Sequence, residues 1–113
     1  MFFEKKKNST KKPIPQKYRL VYSQDHAYEL LMSSTKSMTG HLLGASGGVE
    51  GVLTVLSLMN QFALPTINYQ VKDPECDLDI VPNQGRKMDT DYAMSNSLGF
   101  GGHNASIIFR RAE

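Results

Sequence analysis

Tryptophan is absent from these 113 residues and cysteine occurs once. A single thiol excludes a disulfide framework and a cysteine-rich zinc site, and makes a reducing compartment the default. No run of 18 apolar residues occurs, which excludes a membrane-spanning helix. Residues 1–7 lack the apolar stretch of a signal peptide. Acids are also scarce at the start. Residues 1–24 carry seven Lys/Arg against one acid, +6, and residues 25–113 carry six against ten, −4. The net charge of +2 is therefore an average over a basic arm and a mildly acidic body. An apolar content of 40% suits a globular chain, and this length suits one small domain, burying roughly 65% of its unfolded surface.

The arm, residues 1–18, holds six lysines, Pro13 and Pro15, and reads as extended or disordered. Lysine runs can neutralise phosphates, but no aromatics interleave with them as a base-stacking surface requires, so nucleic-acid binding is not expected. A mostly lysine composition without an amphipathic period argues against a transit peptide. Leu20-Val21-Tyr22 and residues 28–32 read as short strands. Val49, Val52, Leu53, Leu56 and Met59 recur at helical spacing, widened by Val55, Leu58 and Phe62. Polar residues narrow to one stripe, Glu50, Thr54, Ser57 and Gln61, so this helix is expected to be mostly buried, in a chain with little interior to bury it. Tyr92 to Asn96 and Ala105 to Phe109 read as strands around a glycine-rich turn, residues 98–104.

Several chemistries fail on spacing. No glycine is followed by a lysine in the Walker register, and Gly99-x-Gly101 ends on Asn104 where a dinucleotide fingerprint needs glycine. Gly44-Ala45-Ser46-Gly47-Gly48 matches the serine-hydrolase elbow G-x-S-x-G, with Asp79 or Asp91 and His103 available to complete a triad. An elbow needs a buried strand directly before the serine, and only Leu42-Leu43 precede it. Close helix packing is the simpler role for Ser46. Cys76 lies among Asp73, Glu75 and Asp77, which disfavour a thiolate, so it reads as a loop residue. Asp77 and Asp79 make a lone D-x-D with no further ligand at metal spacing. Lys36 and His41, five apart before a helix start, make a positive, hydrogen-bond-donating surface suited to an anion or a developing enolate.

Residues 33–45, Ser-Ser-Thr-Lys-Ser-Met-Thr-Gly-His-Leu-Leu-Gly-Ala, resemble the lysine–histidine motif of the β-ketoacyl acyl-carrier-protein synthases, and the type II elongating condensing enzymes fit best. Pro65-Thr66-Ile67-Asn68 and Cys76-Asp77-Leu78-Asp79 look like that family's later landmarks. Residues 96–104 look like its C-terminal gating loop. The resemblance runs in order from about Asp25 to the end, which divides the chain into a basic arm, 1–24, and a C-terminal fragment of a synthase domain, 25–113.

The resemblance implies a thiolase-like α/β fold of two βαβαβαββ halves in five layers, of which this chain would supply the last portion of the second half. It implies acyl transfer in fatty-acid biosynthesis: malonyl-acyl carrier protein loses CO2 and the enolate attacks an acyl thioester held on a cysteine. His41 matches the second of two histidines that hydrogen-bond the malonyl thioester. Lys36 matches the lysine that supports them electrostatically. Phe100 matches the gating phenylalanine, whose backbone N–H contributes to the oxyanion hole. Glu50, with Ser95 and Asn96, resembles a structural cation site of some members, while a first-turn acid facing the helix dipole is the simpler reading of Glu50. No cofactor is implied. The implied partners are an acyl carrier protein, the remaining N-terminal part of the synthase and, since the family is homodimeric, a second synthase subunit. The implied location is cytoplasmic, or mitochondrial or plastid in a eukaryote. The family's nucleophilic cysteine and its His-Gly-Thr motif have no match, and Leu98 and His103 stand where Phe and Thr are usual. Without nucleophile and first histidine the chain alone is expected to be inactive. The alternatives are a carrier-binding or fragment-complementing module, and a hydrolase using Ser46.

Overall fold

The computed structural model describes residues 1–4 and 24–112. Most of the arm, including Leu20-Val21-Tyr22, lies outside the described residues. The described part builds one sheet with a helix on one face. Its order is β2-β1-β5-β6, with β1 Phe2–Glu4, β2 Leu30–Met32, β5 Tyr92–Leu98 and β6 Asn104–Arg110. A two-residue ladder, β3 Phe62–Ala63 with β4 Arg86–Lys87, closes the far end of the helix. All ladders are antiparallel. Because β1 opposes both neighbours, β2 and β5 run in the same direction with β1 between them.

β5 and β6 form where apolar and β-branched residues flank the Gly-rich turn, and they pair along their whole length from Tyr92↔Arg110 to Leu98↔Asn104. Between them, Phe100–Gly102 forms a single 3-10 turn with Gly101 and Gly102 at φ 76° and 82°, a region closed to most side chains. A 3-10 turn, Gln24–Glu29, leads into β2, so the strand expected over residues 28–32 is shorter at its start.

The strand β1 was not expected in the arm. Phe3, 1% exposed, packs with Leu31 and Ala93 in the core, together with Leu58, Ala63 and Val81. Two adjacent phenylalanines contribute enough apolar area to order this end despite the lysines that follow.

The predicted helix appears as α2, Ser46–Asn60, preceded by a one-turn helix α1, Lys36–Thr39. α2 packs mainly on β5. Its expected burial is reversed. The side facing the sheet carries Ser46, Glu50, Thr54, Ser57 and Leu58, while Val49, Val52, Leu56 and Met59 are exposed, Val52 at 59% and Met59 at 70%. Short polar side chains let the helix axis approach the sheet, and Thr54 bonds back to the Glu50 carbonyl at 2.6 Å. The C-terminus of α2 is closed by Gln61 in the left-handed region. Its side chain bonds the Leu58 and Thr90 carbonyls and accepts the Thr90 N–H.

Candidate functional site

The loop from β2 to α2 and the β5–β6 turn converge on a cavity of about 300 Å³. Lys36, His41, Ser46, Leu98 and Phe100 border it. The residues singled out by the lysine–histidine motif and by the gating loop, some sixty positions apart, thus meet at one place. Phe100 is 96% exposed, with its backbone held by the 3-10 turn. The turn is tight because the Gly99 N–H bonds the His103 carbonyl at 2.7 Å, and a Cβ at Gly99 would sit 2.9 Å from that oxygen.

His41 is fixed by its own loop. Its Nδ1 accepts the Leu43 N–H at 2.9 Å. A ring nitrogen that accepts from an amide carries no proton, so in the neutral ring the proton sits on Nε2. Ser46 Oγ accepts the Leu42 N–H at 2.9 Å and lies 3.3 Å from the same Nδ1, to which its hydroxyl donates. Sequence reasoning gave Ser46 a packing role only, and this contact with His41 was missed. Local spacing offers the signal, since a hydroxyl at i+5 on a helix start can reach back over the preceding turn.

Lys36 Nζ donates to Glu50 Oε1. Glu50 is 8% exposed, on the inward face of α2, one turn after Ser46. Glu50 and Asn96 border a second cavity, of about 320 Å³, with Lys36, Ser33, Thr66 and Met1. Ser95 is not on it, because successive residues of β5 point to opposite faces. With the Lys36 ammonium on the Glu50 carboxylate and Ser95 turned away, the three residues do not converge on a cation. No group of three His, Cys, Asp or Glu positioned for a metal occurs among the described residues. The Met1 ammonium donates to the Ser33 carbonyl at 2.8 Å at this cavity. Burial pushes it below the ordinary amine range, with Lys36 adding to the effect and Glu50 opposing it.

The hydrolase triad is not assembled. Ser46 opens a helix after a 3-10 turn, with no strand before it, and its histidine neighbour is His41 rather than His103. Asp79 pairs with Arg86, and Asp91 lies 3.4 Å from Arg111. Cys76 sits in the acidic turn, its N–H on the Asp73 carbonyl at 3.0 Å, and is absent from the residues bordering either cavity.

Residues 16–70 match the family described as β-ketoacyl synthase, C-terminal domain, a match that starts ahead of the boundary expected at residue 25. The 3-oxoacyl-[acyl-carrier-protein] synthase 2 of Staphylococcus aureus (strain COL) is 59% identical over 87 residues, covering 77% of this chain and 21% of its own length. The synthase of the same name from Synechocystis is 56% identical over the same extent. The chain thus spans about a fifth of the length of these relatives. Among solved structures, a complex of a type II PKS acyl-carrier protein with its ketosynthase superposes with a TM-score of 0.75 at 42% identity, over 79% of this chain and 22% of the other. A β-ketoacyl synthase from Burkholderia phymatum gives 0.67 at 43% identity, over 72% and 20%. The chain belongs to the β-ketoacyl synthase family and carries its C-terminal part.

Proposed function

We propose that this chain supplies the enolate-stabilising side of a decarboxylative condensation in fatty-acid biosynthesis, working with polypeptide that brings the acyl-bearing cysteine and a second histidine. The observation that carries the reading is the fixed tautomer of His41 beside Lys36 and Phe100. With Nδ1 held as an acceptor, Nε2–H is a preset donor for a malonyl thioester carbonyl. The carboxylate carbon leaves as CO2, and its bonding electrons form the thioester enolate, whose oxygen takes the charge that Nε2–H stabilises. The enolate carbon attacks the acyl thioester. A carbon–carbon bond forms, the carbon–sulfur bond breaks, and the cysteine leaves as thiolate. Lys36 places a cation near the developing negative charge while Glu50 holds it in position. The carrier of the malonyl group is an acyl carrier protein, as in the ketosynthase complex to which this chain is similar. A homodimeric assembly and a cytoplasmic setting belong to the same reading. No helix of the described residues is long and apolar enough to cross a membrane.

A second reading, a module that completes a synthase from a separate polypeptide, is favoured by the exposed apolar stripe of α2. One experiment bears on both. The Staphylococcus aureus synthase, expressed without the fifth that this chain matches, is mixed with this chain, acyl-enzyme donor and malonyl-acyl carrier protein. Product forms with both polypeptides and not with either alone, and His41→Ala abolishes it. Product from this chain alone, or undiminished product with His41→Ala, refutes the proposal.

A further inference from the structure

The strand β1 occupies a slot longer than itself. It lies between β2 and β5, whose facing edges both need a partner for their N–H and C=O groups. Phe2, Phe3 and Glu4 pair with Met32, Leu31 and Leu30 on one side, and Phe2 and Phe3 pair with Met94 and Ala93 on the other. Met1 continues the ladder, since Ser33 N–H bonds its carbonyl at 2.9 Å. Beyond Met1 the groove continues as the 320 Å³ cavity, bordered by Ser33, Ser34 and Thr35 after β2 and by Asn96 of β5. Ser33 Oγ is buried there without a hydrogen-bond partner among the described residues. β5 extends four residues past the part that β1 covers, to Leu98.

We propose that this groove is a strand-binding site, and that residues 1–4 are a resident occupant displaced by a longer extended segment from another polypeptide. The groove's chemistry defines the ligand. Two strand edges running in the same direction lie about 9.6 Å apart, two strand spacings, so an inserted strand bonds both whichever way it runs. The position of Phe3, buried between Leu31 and Ala93, takes an apolar side chain, and its immediate neighbours along the strand face the other side of the sheet. The ligand is therefore an extended segment of at least five residues, apolar at alternate positions, with small or polar residues at the end near Ser33 and Asn96. Main-chain bonds supply affinity and the Phe3 pocket supplies register. This inference concerns the sheet, not His41, and stands independently of the condensation chemistry.

The probe is an acetylated, lysine-flanked heptapeptide alternating valine and threonine, titrated into the full chain and followed by NMR and amide exchange. Saturable binding is expected, with loss of exchange protection at the Phe3 amide and retention of it in α2. A counterpart with proline at its centre cannot complete the ladder and does not bind. Phe3→Ala weakens the resident, so the peptide binds at least tenfold more tightly. A Phe2→Cys, Met94→Cys cross-link, made with Cys76→Ser, holds the resident in place and blocks binding until it is reduced. The proposal is overturned if bound peptide leaves the Phe3 amide protected, or if the proline counterpart binds as well. Dimers that exchange residues 1–4 without added peptide would overturn it too. Should Phe3→Ala abolish α2 protection, the cross-link decides alone: equal binding before and after reduction refutes the idea.

Discussion

The sharpest quantitative expectation concerns Lys36 and Glu50. Removing one partner of a fully buried ion pair costs about 3–5 kcal/mol, because the remaining charge is stranded away from water. Glu50 meets that condition at 8% exposure, but the Lys36 side chain keeps 37% of its surface in solvent, which screens the pair. Lys36→Met, which leaves the buried carboxylate without its cation, is therefore expected to cost about 2 kcal/mol. Glu50→Gln leaves a lysine that can turn to water, and is expected to cost roughly 1 kcal/mol. If the pair is the reason, the double variant costs about 1.5 kcal/mol instead of about 3, a coupling of roughly 1.5 kcal/mol. The assay is urea unfolding at 25 °C followed by helical circular dichroism, with the denaturant slope unchanged across the four proteins. A double variant within about 0.5 kcal/mol of the sum of the singles would refute the reasoning, as would Glu50→Gln costing more than Lys36→Met.

Three further outcomes are expected. Gly85→Ala places a Cβ 2.5 Å from the Phe62 ring and 2.9 Å from the Ala63 carbonyl oxygen; the ladder backbone cannot yield cheaply, and calorimetry should show a loss of about 1–3 kcal/mol. The Tyr28 phenol, donating to Asp77 at 2.6 Å, is pushed up to about 12 by that bond. The stabilisation it brings is present below pH about 10, the ordinary phenol value, and is lost as pH rises from there through 12. Absorbance at 295 nm reports this late ionisation, and Asp77→Asn returns it to the ordinary range. Val52→Lys with Met59→Lys, both on the exposed stripe of α2, should leave the chain's own unfolding within about 0.5 kcal/mol per site while abolishing complementation of a shortened synthase. Retained complementation would separate that stripe from any assembly role.

Much of the local structure was legible because its causes are local. α2 shows itself through helical spacing, and β5 and β6 through β-branched residues either side of glycines that the turn requires. Lys36, His41 and Phe100 stand out through a motif whose spacing alone is a weak signal, and the fold places them on one cavity. What the sequence hid is non-local. The strand β1 exists because two edges, at Leu31 and Ala93, leave a gap that an apolar tripeptide fills, and nothing within residues 1–7 encodes those edges. The ladder of Phe62–Ala63 with Arg86–Lys87 spans a long Pro-punctuated loop, where pairing depends on how Gln61 anchors Thr90.

The inverted helix is the most instructive difference. Periodicity alone assigns the stripe Glu50, Thr54, Ser57 to water and the wide apolar face to the interior, since burial of apolar area normally decides the orientation. Three specific contacts reverse the assignment. Ser46 opens the same inward side of the helix and bonds to His41; one turn on, Glu50 holds Lys36; one further turn on, Thr54 satisfies its hydroxyl on the Glu50 carbonyl. Each inward polar group thus has a partner, except the Ser57 hydroxyl, so their burial carries little of the penalty that unpaired groups would impose. The stripe that reads as a solvent face is the back wall of the candidate site, positioning its lysine and its histidine one helical turn apart. An apolar face left bare on the other side follows directly: the helix is oriented by the chemistry it supports, and its hydrophobic surface is what a chain spanning a fifth of its relatives' length leaves for other polypeptide to cover.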